Sequence, residues 1–201
     1  MSQFEPECSD ISDICSDISD INVAGIEDAV SKILRCIGED PERDGLTDTP
    51  RRVAQLYTEI FSGLRENPVD VLEPLFEGDY YDPVLVSDIP FHSICEHHLL
   101  PFTGLAHVAY HPSGKVLGAS KVTRLVDCIS RRPQIQERLT SQIADIIHSG
   151  LNSQSTLVYM SAEHMCMTIR GVEKKGSKIV TLAQRGNRDL GSDLKNLMRL
   201  Q

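Results

Sequence analysis

Cys95-Glu96-His97-His98 sets a thiol and an imidazole three positions apart, a spacing from which one turn aims both at one ion. A thiolate and an imidazole together suit zinc. Taken alone, Cys-x-x-His also fits a buried cysteine beside surface histidines. The second cluster, Glu163-His164-Met165-Cys166, favours a metal, because on a strand His164 and Cys166 point to one face. Cys95, His98 and Cys166 make three ligands with a fourth position open, the arrangement of a catalytic zinc. Zinc in such a site lowers the pKa of bound water towards about 7. His97 and His164 remain as proton carriers or as support for the ligands.

Further residues extend the pattern outward. If residues 155–170 form one long strand, His164, Cys166, Thr168 and Arg170 share a face. Arg170 then lies roughly 13 Å beyond Cys166, a span that suits a nucleotide with its base at the metal and its phosphates at the arginine. Lys121 and Arg124 fall in the first turn of a helix that Ser120 is placed to cap. Cations there oppose the helix dipole, so stability does not explain them; phosphate binding does, the alternative being a solvated basic face shared with Arg131. Glu137 lies early in a helix expected to start at Pro133. Acidic residues are favoured there in any case, yet its carboxylate is placed away from the apolar stripe and can accept paired hydrogen bonds from a base edge.

These groups need elements to hold them. Ile26, Val30, Ile33, Leu34 and Ile37 form one helical stripe, and Val53, Leu56, Tyr57, Ile60, Phe61 and Leu64 a second, opened by Thr49 as cap and Pro50. From Val84 the pattern changes to strands over 84–92 and 104–111, two helices, then strands over 155–170 and 177–184. Short links within each strand pair make the sheet antiparallel and the class α+β. Three regions result: an acidic low-complexity tail over 1–22, a helical region over 23–83 and a catalytic domain over 84–201. The tail holds two copies of Cys-Ser-Asp-Ile-Ser-Asp-Ile and is expected to be disordered, the alternative being a short helix that orders against a partner.

The chain has 201 residues, 40% hydrophobic and 24% charged, an ordinary globular mixture. Its net charge of −9 argues against a general nucleic-acid binder. Six of those negative charges fall in residues 1–21, whereas residues 170–201 hold eight basic and three acidic side chains, so an anionic small molecule remains a fitting partner. No apolar run is long enough to span a membrane and no secretory signal is visible, so a cytoplasmic location is expected. The six cysteines are irregularly spaced, which favours metal binding or burial over disulfides.

The stretches CEHHLLPFTGLAHVAYHP, GKVLGASK, RRPQIQERLT and EHMCMTIRG, in that order, resemble GTP cyclohydrolase I, and GEDPERDGLTDTPRRVAQLYTEIFSG resembles that family's helical N-terminal region. The likeness covers about residues 25–181. It implies the tunnelling fold, an antiparallel four-stranded sheet with two helices between its second and third strands. It also implies pentameric rings paired into a homodecamer. It places the zinc ligands on Cys95, His98 and Cys166 and the acid–base pair on His97 and His164. It places triphosphate contacts on Ser120, Lys121, Arg124 and Arg170, and guanine recognition on Gln136 and Glu137. The implied reaction turns GTP and water into formate and 7,8-dihydroneopterin triphosphate. Ala119 and the run Leu182-Ala183-Gln184-Arg185 depart from the family pattern. The motifs of zinc deaminases and of His-Glu-x-x-His metalloproteases are absent. The alternatives left are a related tunnelling-fold enzyme on another purine or pterin, and a non-catalytic zinc-stabilised homologue.

Overall fold

The computed structural model describes residues 20–187; most of the acidic repeat and the last 14 residues lie outside them. In chain order the elements are α1 (Val23–Cys36), α2 (Thr49–Ile60), β1 (Leu75–Glu77), β2 (Val84–Cys95), β3 (Pro101–His111), β4 (Lys115–Leu117), α3 (Ala119–Ser130), β5 (Pro133–Gln134), α4 (Gln136–Leu151), β6 (Ser155–His164), α5 (Met165–Thr168) and β7 (Lys178–Gly186). The Asn22 side chain caps α1 by accepting from the Gly25 N–H. Asp48 holds the cap position of α2, one residue before Thr49. α1 and α2 pack on each other, yet α1 buries none of its residues, and Ile33 and Ile37 of its stripe are 58% and 69% exposed.

β2, β3, β6 and β7 form an antiparallel sheet in that order, and β3 leads to β6 through α3 and α4. This is the α+β arrangement expected, with two helices between the second and third long strands. The two-residue β5 adds parallel to β2 at Ile94 and Cys95. Pro133 therefore begins a short strand, not a helix, and α4 starts at Gln136. The core lies where Val122, Leu125 and Ile129 of α3 and Leu139, Ile143 and Ile147 of α4 meet Val108, Val158 and Met160 of the sheet. A Cβ on Gly104 would stand 2.0 Å from the Ser161 carbonyl oxygen of β6. Gly104→Ala should thus cost about 1–3 kcal/mol as the central strands part, read as a lower denaturant midpoint.

The strand expected over 155–170 ends at His164. Its partners run out there: Phe102, next to the first residue of β3, pairs with His164, and Lys178, the first of β7, pairs with Glu163. Beyond that point a ladder has nothing to bond to, and Met165–Thr168 closes as one helical turn. Nor does Ser120 cap α3. Gly118 holds the cap position, and Ser120 sits exposed inside the first turn.

One departure from the family pattern has a structural role. Arg185 on β7 bonds Asp145 and Ser141 on α4, clamping the edge strand to the helix. Nearby, His148 at the end of α4 meets the Ser153 hydroxyl at 3.0 Å. Burial holds the His148 pKa below its ordinary value, the Arg185 cation adds to this, and Asp145 opposes it. The unfolded chain therefore binds this proton first, so the contribution is present above about pH 6.5 and fades as pH falls through the lower folded value. The thermal midpoint should drop from pH 7 to pH 5, and His148→Gln should lessen that drop.

Candidate metal and acid–base site

The turn after β2 carries Glu96, His97 and His98. Its backbone closes through Leu99 N–H to the Cys95 carbonyl and Cys95 N–H to the Leu100 carbonyl, both 2.9 Å. Leu99 adopts a φ of +52°, the left-handed region that leucine enters only under local constraint. Glu96 is anchored by Arg138 of α4, whose hydrogen bond holds the Glu96 carboxyl below the usual range. The anchor ties the turn to the start of α4, beside Gln136 and Glu137.

From this turn and from α5, ligand atoms of Cys95, His98 and Cys166 come within 4.8 Å of one another. Cys95 is buried, Cys166 half-buried and His98 exposed, so the group opens to one side. Two thiols and an imidazole are a donor set for zinc. The residues fit that ion. Without one, burial pushes the Cys166 thiol pKa up and the adjacent Cys95 adds to this; a bound dication reverses that balance and favours thiolates.

His97 and His164 flank the group. The His97 ring stands 3.9 Å from the Cys95 sulfur and is exposed. His164 is only 6% exposed and lies flat against Phe102, ring centres 4.4 Å apart at 4°. Burial lowers its pKa, and the Glu137 carboxylate opposes the shift. His164 faces the Gln136 side chain at 2.8 Å. Gln136 is itself buried, whereas Glu137 is exposed at the mouth of the same region.

Arg170 departs from its expected place. Because the strand ends at His164, Arg170 does not lie along a face some 13 Å beyond Cys166. It turns back and donates to His98 Nε2 at 2.7 Å. Ser120, Lys121 and Arg124 stand elsewhere. Lys121 donates to the Glu73 carbonyl, and Lys121 and Arg124 line a groove with Glu66, Asp70, Asp127 and Arg131. None of Cys95, His98 or Cys166 lines that groove. One chain thus gathers Cys95, His97, His98, His164, Cys166, Gln136, Glu137 and Arg170, and holds the α3 cations apart from them.

Sequence reading missed Arg138, Phe102, Thr140 and Thr181. Thr140 follows Gln136 by one helical turn, a spacing that pairs the two. Phe102 and Thr181 reach the site only through strand register, which no local pattern announces.

A family model described as GTP cyclohydrolase I matches residues 26–199. A GTP cyclohydrolase 1 of Bacillus cytotoxicus is 56% identical over 83% of this chain and 88% of its own length. One from Carboxydothermus hydrogenoformans is 59% identical over 80% and 84%. A solved archaeosine synthase, QueF-Like in the apo form, overlays 53% of this chain and 96% of its own at 15% identity, with a TM-score of 0.42, a likeness too slight to build on.

Proposed function

The chain belongs to the GTP cyclohydrolase I family, and from that premise we propose that it converts GTP and water into formate and 7,8-dihydroneopterin triphosphate. The observation that carries the reading is the convergence of Cys95, His98 and Cys166 within 4.8 Å, beside a buried His164. Zinc held by these three residues supplies a Lewis acid that makes water a nucleophile at neutral pH.

The chain's own groups do the rest. Glu137 accepts the N1–H and 2-amino hydrogens of guanine, and its charge is exposed and ready to do so. That orientation turns the imidazole edge of the base, with C8, towards the metal group. His164 and His97 move the protons that water addition and opening of the C8–N bonds require. C8 leaves as formate, and the opened ribose rearranges and closes the pterin ring. Arg170 stands beside His98; with zinc on His98 no ring nitrogen is left to accept from it, so the guanidinium is released to offer charge to the phosphates.

Ser120, Lys121 and Arg124 complete the triphosphate site from a neighbouring copy. Two observations support this reading. Lys121 and Arg124 line a groove that none of Cys95, His98 or Cys166 lines on the same chain. The sheet also leaves β7 as an edge strand, a hazard unless another chain pairs with it. Edge-to-edge pairing builds the ring of the tunnelling fold, and the exposed stripe of α1 serves the pairing of two rings into a homodecamer. GTP and a homo-oligomer are thus the partners proposed. Among the described residues no helix is long and apolar enough to cross a membrane.

The test compares substrates. Purified chain with zinc should consume GTP and leave ATP untouched, because adenine sets a lone pair at N1 against Glu137 and lacks the 2-amino group. Sites built on such pairing reject the wrong partner by about 10⁴–10⁵. Equal consumption of both, or GTP consumption unaffected by a chelator, would overturn the reading.

A further inference from the structure

Gln136 opens α4 with its side chain 1% exposed, and each of its polar atoms is engaged. Its amide nitrogen faces the Met160 carbonyl at 3.2 Å, the Ile179 carbonyl at 3.0 Å and the Thr181 hydroxyl at 3.0 Å. Two of these three partners are carbonyls, which only accept. The amide therefore cannot be turned round without setting oxygen against oxygen. The third partner is fixed as well. Thr140 donates its hydroxyl proton to the Gln136 backbone carbonyl at 2.7 Å, so across the 2.6 Å contact Thr181 donates to Thr140. The Thr181 oxygen is then left to accept, and the two amide hydrogens of Gln136 are shared among three acceptors.

With its nitrogen end fixed, the amide oxygen of Gln136 faces His164 Nε2 at 2.8 Å. That oxygen has no proton to give, so the hydrogen of this bond belongs to His164. We infer that Gln136 is a positioning residue that holds neutral His164 as its Nε2–H tautomer, leaving Nδ1 as the one ring atom through which protons pass. Phe102, stacked on the ring, keeps its plane. The imidazolium form keeps the same Nε2–H bond, so Nδ1 both takes the proton and gives it back. Base, ring and orienting third group follow the logic of other activated sites. Gln136 thus serves His164, and its side chain is not free to read guanine, a task that falls to Glu137.

The inference rests on the reading of His164 as a proton carrier, so its test has an arm that needs no turnover. Full-length, zinc-loaded chain with ¹⁵N-labelled histidine is followed by long-range ¹H–¹⁵N correlation, the His164 signals being assigned by their loss in His164→Ala. The parent should show His164 protonated at Nε2 and bare at Nδ1. Gln136→Leu should populate both tautomers and lower kcat by about 10–100-fold, the usual cost of losing an imidazole's orienting partner, while KM for GTP stays within about twofold. A parent His164 protonated at Nδ1 would overturn the proposal. So would a Gln136→Leu chain with the tautomer unchanged and KM raised, the result expected of a base-reading glutamine. If Gln136→Leu does not fold, Thr181→Val serves instead: it removes one acceptor, should mix the tautomers and lower kcat less, and an unmixed spectrum counts against the proposal. A parent that leaves GTP untouched while His164 is Nε2–H would sink the enzymatic reading alone.

Discussion

Cys166→Ser is expected to lose its zinc and to turn over GTP at least about 10³-fold more slowly, while the fold survives. The metal's contribution to charge stabilisation is several kcal/mol, and each 1.36 kcal/mol is a factor of ten. A serine hydroxyl is a far poorer ligand for zinc than a thiolate, and it leaves only Cys95 and His98 in the group. The fold survives because the core is built elsewhere. Leu125, Ile129, Leu139, Ile143 and Ile147 are fully buried between the helices and the sheet, whereas Cys166 only packs against that cluster from its edge. Metal analysis of the purified variant, beside its denaturation curve, checks both halves. Zinc retained at one ion per chain would remove Cys166 from the ligand set.

The second large effect is expected at Glu137. Glu137→Ala should keep the parent's metal content and assembly state and lose about 10²–10⁴-fold in kcat/KM for GTP. Two hydrogen bonds to a charged group, at about 1.5–3 kcal/mol each, give that range. Glu137→Gln should fall between parent and Ala, because a carboxamide accepts one of guanine's two donors and sets its own N–H₂ against the other. Lys121→Ala and Arg170→Ala should behave differently, weakening GTP more than guanosine. Kinetics with GTP and guanosine, and binding of each, separate the two patterns. Normal GTP turnover by Glu137→Ala would show that other groups read the base.

Part of this architecture was legible because it is local. Cys95 and His98 lie in one turn, and a turn of that length has few ways to point two ligands. The helical stripes of α3 and α4 lie in the buried core, as their 3.6-residue spacing requires. The stripe of α1 was equally legible, but its burial was not: Ile33 and Ile37 stay exposed on the single chain. What failed depended on distant partners. Period-two patterning continues through Cys166 to Arg170, yet a strand lasts only as long as its neighbours, and β3 and β7 both run out at the level of His164. Arg170 consequently bonds His98 and does not extend the site along a strand. The same holds for Pro133, whose two-residue strand exists only because β2 extends to Cys95. Gln136 was singled out by likeness alone, and its engagement with His164, Thr140 and Thr181 belongs to the packing of α4 on β6 and β7.

The most direct measurement follows one carbon. GTP labelled at C8 is incubated with the zinc-loaded chain, and label is counted in formate and in the remaining nucleotide or pterin. Removal of C8 predicts label in formate, mole for mole with a pterin product that keeps all three phosphates. Label retained in the nucleotide, with GDP and inorganic phosphate as the products, would contradict it.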